Sequence, residues 1–215
     1  MRWARIPPSQ RYCQCLTHSR RCVTSAIGYI DYNMTMQVHG DLKGANVLIS
    51  SDGMPRLMDF GNATLLDATL QFTQTSTGAR YSLRWTPPEI LEDEGTSLHT
   101  MAGDIYSLGM TILETFTSEV PFADKSEKSV LAHILFHKKP PARPEKIIPT
   151  RSMDGNKLWV LLTKCWSYDP KDRPSAEAVW NNMKPITSEN LRQIEGEDEV
   201  GSKHESGEIK KGDRG

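Results

Sequence analysis

The sequence predicts a mainly α-helical domain of the α+β class, in which a helical bundle carries one short β-hairpin. Apolar residues between positions 105 and 116, and again between 158 and 166, recur with the spacing of one helix face. The apolar trio at 47–49 and a second short strand at 55–60 flank the turn signal Ser51-Asp52-Gly53. These three observations favour long amphipathic helices around a single antiparallel hairpin.

Length and composition limit the possible classes of protein. The chain has 215 residues, which suits one domain, and 37% hydrophobic with 25% charged residues is typical of a soluble globular protein. A formal net charge of −1 gives no strong attraction to nucleic acid or to an anionic membrane. No apolar run approaches the roughly 20 residues that cross a bilayer. We therefore expect an intracellular, cytoplasmic protein that binds neither nucleic acid nor membrane.

Charge and periodicity divide the chain into three regions. Residues 1–23 form a basic segment without a clear period, and residues 24–186 carry the helix and hairpin signals, beginning with a short helix at 24–32. Residues 187–215 contain eight acids and five bases, and we expect this tail to be disordered. The acid-free start resembles a mitochondrial transit peptide, but Pro7 and Pro8 interrupt the amphipathic helix that such a peptide needs.

The cysteines leave one metal-binding alternative. Cys13, Cys15, Cys22 and the intervening His18 could supply four zinc ligands. The Cys-x-Cys spacing is tight for a structural zinc site, and no second ligand cluster supports it, so an irregular segment with reduced thiols is the simpler interpretation. Cys165 lies in an apolar helical pattern, which predicts a buried thiol.

Four polar residues form a constellation that suits phosphoryl transfer. Asp41, Lys43 and Asn46 precede an apolar strand, where Asp41 could accept the proton of a substrate hydroxyl and Lys43 could neutralise charge on the γ-phosphate. Asn46 could hold a divalent cation. Asp59, thirteen residues later and one hairpin away, would be the main Mg²⁺ ligand, and Gly61 would let the chain turn sharply after it.

These residues resemble the catalytic loop and the metal-binding motif of the eukaryotic protein kinases. Further stretches resemble other landmarks of that family, in the family's order: Thr86-Pro87-Pro88-Glu89, Asp104–Gly109, Val120-Pro121-Phe122, Cys165-Trp166 and Asp169–Pro174. The resemblance covers about residues 24–186. It implies the C-terminal lobe of a protein kinase, with a helical bundle and a hairpin that carries the catalytic and metal-binding loops, ATP and Mg²⁺ as cofactors, and a protein substrate.

The resemblance also implies roles outside the four-residue set. Leu48 would form the floor under adenine, together with Lys43, Asn46 and Asp59 as nucleotide-binding residues. Ser82 stands where serine/threonine kinases place a hydroxyl that contacts the catalytic carboxylate and lysine. The family pairs a glutamate at the position of Glu89 with an arginine at that of Arg173. The family's aspartate at position 104 accepts hydrogen bonds from the catalytic-loop backbone.

The residue types in these motifs indicate the subclass of kinase that the chain resembles. Lys43, two residues after Asp41, resembles serine/threonine kinases, since tyrosine kinases usually carry Ala-Ala-Arg or Arg-Ala-Ala after the leucine. Arg84-Trp85 and the Gly-Asp-Leu-Lys-Gly-Ala-Asn stretch resemble the tyrosine-kinase-like group, whose members often keep serine/threonine specificity.

The chain departs from the family at Gly40, where the family usually has an arginine that pairs with a phosphate on the activation loop. We therefore expect phosphorylation to matter less for ordering the loop at 62–86. The hydroxyls in that loop are candidate phosphosites, although a polar solvated loop explains each of them equally well: Thr73, Thr75, Ser76 and Thr77.

A second departure concerns the nucleotide. The 38 residues before His39 contain no Gly-x-Gly-x-x-Gly motif, no Ala-x-Lys strand and neither lysine nor glutamate, so we expect the ATP-gripping lobe to be absent from this chain. Two hypotheses follow. The chain is a serine/threonine kinase that meets its N-terminal lobe elsewhere, or it is an inactive kinase-derived scaffold. The scaffold would bind partners through the apolar face around His39 and Phe60 and through a helix at about 125–136.

Overall fold

A computed structural model of the chain describes residues 37–50, 55–60, 64–65, 82–92, 99–186 and 191. Several sequence-based predictions fall outside these residues. They concern the segment 1–23 with its zinc alternative, the helix at 24–32, the turn at 51–53, the phosphosite candidates at 73–77 and nearly all of the tail.

The described residues form short strands followed by five helices. The strands are β1 (Gln37–Val38), β2 (Val47–Ile49), β3 (Pro55–Leu57) and β4 (Thr64–Leu65), with a 3₁₀ turn at Gly44–Asn46. The helices are α1 (Pro88–Glu92), α2 (Met101–Thr117), α3 (Glu127–Leu135), α4 (Met153–Cys165) and α5 (Ala176–Met183), with a 3₁₀ turn at Pro170–Asp172. None of these helices is long and apolar enough to cross a membrane.

Strands β2 and β3 form the predicted antiparallel hairpin, with Val47 opposite Leu57 and Leu48 opposite Arg56. The prediction that the second strand continues to Phe60 is wrong, because β3 ends at Leu57. Asp59 has a φ of 61°, in the left-handed region, and a strand cannot continue through that backbone conformation. The chain therefore turns at the predicted metal ligand.

Strand β4 lies inside residues 62–86, which the sequence predicts as one long loop. It pairs antiparallel with β1, with Leu65 opposite Gln37 and Thr64 opposite Val38. Two residues are too few to show the alternation that predicts a strand, and the partner strand lies far away in the sequence. At the other end of the predicted loop, residues 82–86 form a turn, as expected.

Helix α2 is the centre of the core and is buried on almost all sides, because every residue from Gly103 to Glu114 is buried. The sequence predicts only one apolar face, at 105–116. The structure surrounds the helix with α4, β1 and both 3₁₀ turns. Gly109 allows α4 to approach closely, since a Cβ at this position would lie 2.7 Å from Cys165 Cβ.

Helix α4 agrees with the predicted periodicity. In α4 the apolar stripe is buried, and Cys165 is a buried free cysteine, as predicted; burial raises the pKa of its thiol to about 12. Helix α3 begins slightly later than the predicted 125, because the side chain of Ser126 caps it, and Ser175 caps α5 in the same way. Leu191 belongs to the tail predicted as disordered, yet it is 4% exposed and packs into the core, since its apolar side chain is removed from water there.

Candidate functional site

The loop at residues 39–46, called loop 39–46 below, is anchored to α2 by a buried carboxylate. Asp104 Oδ2 accepts a 2.6 Å hydrogen bond from the His39 backbone N–H, and Oδ1 accepts a 2.9 Å bond from that of Gly40. Gly40 has a φ of 77°, which a glycine adopts without strain. Asp104 is 2% exposed, and burial raises its pKa to about 6 even though both N–H groups favour the ionised form. The backbone contact expected for position 104 is therefore present.

Three of the predicted site residues meet in one triangle of hydrogen bonds. Lys43 Nζ lies 2.6 Å from Asp41 Oδ2 and donates a 2.8 Å bond to Ser82 Oγ. The Ser82 hydroxyl in turn donates a 2.7 Å bond to Asp41 Oδ1. The lysine and aspartate side chains are only 16% and 14% exposed, so the ion pair is screened less than a surface pair. This arrangement fixes the carboxylate at both oxygens.

Asn46, the last residue of the 3₁₀ turn at Gly44–Asn46, also contacts this cluster. Its buried side-chain amide donates to the Asp41 backbone carbonyl at 2.8 Å and to Asp41 Oδ2 at 3.1 Å. Because the amide nitrogen makes both bonds, the side-chain oxygen is the atom left to bind a cation. Amide oxygens are ligands that hard divalent cations accept.

Asp59, the other predicted metal ligand, is not drawn into the triangle. Its side chain is exposed, and within the described part of the chain it forms no hydrogen bond or ion pair. His39 connects loop 39–46 to the residues around Asp59, because its Nε2 lies 3.1 Å from the carbonyl oxygen of Met58. The imidazole ring also packs against Phe60, with 4.8 Å between ring centroids.

His39 therefore bridges the two predicted motifs. Its packing against Phe60 agrees with the expected apolar face around these two residues, whereas its hydrogen bonds were not predicted. Its Nδ1 accepts a 3.2 Å bond from the Asp41 N–H, so Nε2 must carry the proton that is donated to Met58. The bond accepted by Nδ1 requires the neutral ring, and burial lowers the pKa of His39 in agreement with this state.

Asn46 and Asp59 suit a divalent cation that is also bound by water or phosphate oxygens. In the ranges that the structure describes, no group of three or more His, Cys, Asp or Glu side chains could hold a metal ion. Asn46 and Asp59 offer two oxygen-bearing side chains. Mg²⁺ is usually bound by one or two protein carboxylates together with water and phosphate oxygens, so such a sparse set fits it. Leu48 is half-buried on the neighbouring strand β2.

The expected ion pair between Glu89 and Arg173 is present and bidentate. The two guanidinium nitrogens each lie 2.7 Å from a different carboxylate oxygen, and the Arg173 side chain is 0% exposed. Arg173 also donates a 2.9 Å bond to the Ala102 carbonyl and lies over the Tyr106 ring, 5.2 Å from its centroid. This cluster joins α1, α2 and the segment before α5.

Residues 82–86, called segment 82–86 below, have two polar anchors that the sequence analysis missed. Arg84 donates to the carbonyls of Pro121 and Lys125 at 2.8 and 2.7 Å, which joins the segment to the loop after α2. Trp85 donates from Nε1 to the buried carboxylate of Glu114 at 3.0 Å. A glutamate inside an otherwise apolar helix pattern is the signal that could have indicated such a contact.

Comparison with known proteins gives a consistent set of similarities. The family described as "Protein kinase domain" matches residues 14–183. The chain is 32% identical over 142 residues to "MAP3K epsilon protein kinase 1" of Brassica napus, covering 66% of this chain and 10% of that protein. It is 31% identical over 142 residues to "Mitogen-activated protein kinase kinase kinase A" of Dictyostelium discoideum, covering 66% and 14%.

A third relative is "Probable serine/threonine-protein kinase drkD" of Dictyostelium discoideum, with 29% identity over 161 residues that cover 75% of this chain and 11% of that protein. The chain therefore spans a small part of the length of the relatives it matches.

Proposed function

Because this chain belongs to the protein kinase domain family, within the eukaryotic protein kinases, we propose that it forms the C-terminal lobe of a serine/threonine kinase. In this proposal, helices α1–α5 are the helical bundle of the lobe, and the β2–β3 hairpin separates its catalytic and metal-binding loops. The reaction passes the γ-phosphate of ATP to a hydroxyl of a protein substrate. Relatives named as mitogen-activated protein kinase kinase kinases and as serine/threonine kinases support this class of activity.

The joint contact of Lys43 and Ser82 with Asp41 is the observation that carries the proposal. Asp41 would accept the proton of the substrate hydroxyl, and its carboxylate is held in one orientation by donors on both oxygens. Lys43 would stabilise the negative charge that develops on the transferred group. Since positioning and electrostatic stabilisation account for most phosphoryl-transfer catalysis, a fixed carboxylate beside a fixed ammonium group suits this reaction.

Asn46 and Asp59 would hold the metal ion, and Leu48 would lie beneath adenine. When bound, Mg²⁺ would neutralise charge on the phosphate oxygens. Asn46 is oriented for this task by its two hydrogen bonds to Asp41. Asp59 reaches solvent through a backbone turn that directs the chain away from strand β3.

Two sequence features refine the proposal. Lys43 after Asp41-Leu42 favours serine and threonine as acceptors, and Arg84-Trp85 favours the tyrosine-kinase-like group. Gly40 offers no guanidinium group to a phosphorylated loop. Asp104 holds the start of loop 39–46, and we expect phosphorylation to matter less for ordering the loop at 62–86.

We propose that the groups gripping ATP from above come from another part of the protein or from another chain. Met58 and Phe60 flank Asp59 and are each 42% exposed, which leaves apolar surface next to the proposed nucleotide site. The same surface supports the second candidate, an inactive scaffold that binds partner proteins there. Translating the DNA upstream of Met1 distinguishes these two sources. An open reading frame that encodes a Gly-rich loop and an Ala-x-Lys strand would place the ATP-gripping groups in the same protein.

A thermal-shift experiment distinguishes the enzyme from the scaffold. Melting temperatures of the wild-type chain and Asp59→Ala are compared at millimolar ATP with and without Mg²⁺. Although the groups that grip ATP from the other side are proposed to lie elsewhere, binding through this chain's own metal-binding residues would raise the wild-type melting temperature by about 1–4 °C, and this rise would depend on Mg²⁺ and be lost in Asp59→Ala. This result would exclude a pure scaffold, whereas no shift in the wild type would exclude nucleotide binding by the chain alone.

A further inference from the structure

Glu114 places a buried carboxylate between loop 39–46 and segment 82–86. Its Oε2 accepts a 3.0 Å hydrogen bond from the Gly44 backbone N–H and another of 3.0 Å from Trp85 Nε1. The residue is 2% exposed and lies in the last turns of α2. One oxygen atom thus joins two stretches of chain that are far apart in the sequence.

We propose that Glu114 is a positioning residue that sets the separation between Lys43 and Ser82. Gly44 directly follows Lys43 in the chain, and Trp85 is tied to Ser82 by a 2.9 Å bond from its backbone N–H to the Ser82 carbonyl. Each partner of the Lys43–Ser82 contact is therefore one short connection away from Glu114. The proposal rests on the proposed function, because this contact orients Asp41 for phosphoryl transfer.

The rigidity of the support comes from α2. Asp104, ten residues earlier on the same helix, holds the start of loop 39–46, and Glu114 holds its end. Ten residues of helix span roughly 15 Å, so the loop is fixed at two separated points of one buried element. A buried carboxylate without hydrogen-bond donors is strongly unfavourable. Both carboxylates therefore hold their backbone donors at hydrogen-bonding distance.

Close packing restricts the contact further. A Cβ on residue 44 would lie 2.8 Å from Glu114 Oε1 and 2.9 Å from Oε2, so only glycine lets the loop backbone approach this closely. Arg84 anchors the opposite side of segment 82–86 to the carbonyls of Pro121 and Lys125. Loss of the Glu114 contacts should therefore shift the Ser82 side of the segment while its far side stays attached.

The chemical reactivity of Lys43 reports on this arrangement without any need for enzymatic activity. The folded chain is treated with a trace of acetic anhydride, and the acetylation of Lys43 is measured by mass spectrometry of peptides. Lys157, which is 61% exposed and lies on α4, serves as the internal reference in each sample. Loss of one hydrogen bond from the Lys43 ammonium group corresponds to about a fivefold rise in its relative rate.

Three variants remove the contact in different ways. Glu114→Met removes the acceptor, Trp85→Phe removes the indole donor, and Gly44→Ala pushes the loop away from the carboxylate. Thr115→Val is the matched control, since the Thr115 hydroxyl donates to the Thr111 carbonyl within α2 and, among the described residues, is not bonded to loop 39–46 or segment 82–86. We expect the Lys43 to Lys157 ratio to rise about fivefold in the three variants and to stay unchanged in the control.

An unchanged ratio in a folded Glu114→Met chain would overturn the proposal. If that variant does not fold, an unchanged ratio in both Trp85→Phe and Gly44→Ala has the same consequence. A wild-type protein that transfers no phosphate would contradict the proposed function, while the acetylation result would still decide whether Glu114 positions Lys43.

Discussion

The hydroxyl of Ser82 donates a 2.7 Å hydrogen bond to Oδ1 of Asp41, although the two residues lie 41 positions apart in the sequence. Lys43 contacts both of them. The bond therefore makes the orientation of the proposed catalytic carboxylate depend on segment 82–86. A change in that segment should reach Asp41 directly.

Replacing Ser82 tests this dependence. Ser82→Ala removes the bonds to Asp41 and Lys43, and a hydrogen bond to a charged group corresponds to about a tenfold or larger loss of transfer rate. Ser82→Thr keeps the hydroxyl and should retain most of the activity. The rate of phosphate transfer to a peptide substrate is the measurement, and equal rates for wild type and Ser82→Ala would show that the bond has no catalytic role.

The ion pair between Arg173 and Glu89 should be important for stability. Arg173→Met keeps the apolar stem but leaves Glu89 without its partner, and breaking a buried pair costs about 3 kcal/mol of unfolding free energy. Lys157→Met, in a pair whose lysine is 61% exposed, should change the unfolding free energy by less than about 1 kcal/mol. Urea denaturation measures the unfolding free energies of both variants. Similar losses in the two variants would contradict a larger stabilising contribution from the Glu89–Arg173 pair.

Asp104 should make stability depend on pH. Its pKa is raised from 3.8 to about 6 in the folded chain, so the folded state binds the proton more tightly than the unfolded state. The contribution of Asp104 is complete below about pH 4 and is lost as the pH rises through 6, by up to about 3 kcal/mol.

Asp104→Asn removes this titration. The unfolding free energy of the variant minus that of the wild type should therefore increase from pH 4 to pH 7. Taking the difference cancels the opposite trend of His39, whose lowered pKa makes it destabilising at acidic pH. A difference that stays constant over this pH range would contradict the raised pKa of Asp104.

Gly40 predicts that transfer activity does not require a phosphorylated loop. Protein treated with phosphatase, and checked by mass spectrometry to be free of phosphate, should transfer phosphate at the same rate as untreated protein. The physical reason is that Asp104 holds loop 39–46 and that residue 40 has no guanidinium group for a phosphate to recruit. A large loss of rate after this treatment would show that another cation performs the role.

The parts of the fold that sequence predicts are those specified by local pattern. The stripe of α4 and the β2–β3 hairpin follow from spacing and turn residues close together in the chain. Strand β4 and the all-round burial of α2 depend on partners that are distant in sequence, which spacing does not reveal.

The candidate site divides in the same way. Asp41, Lys43 and Asn46 are predicted from one short motif and meet as expected. The hydrogen bonds of His39 and Glu114 were not predicted, because a polar side chain that becomes buried needs a partner but does not identify it.

Phosphate transfer by the natural protein that contains these residues tests whether Asp41 acts as a catalytic base. The protein is purified from its own cells, and labelled γ-phosphate from ATP is followed onto a mixture of Ser-, Thr- and Tyr-containing peptides. We expect Mg²⁺-dependent labelling of serine and threonine that falls by about a hundredfold or more in Asp41→Asn. No transfer by the wild type, or equal transfer by wild type and Asp41→Asn, would contradict it.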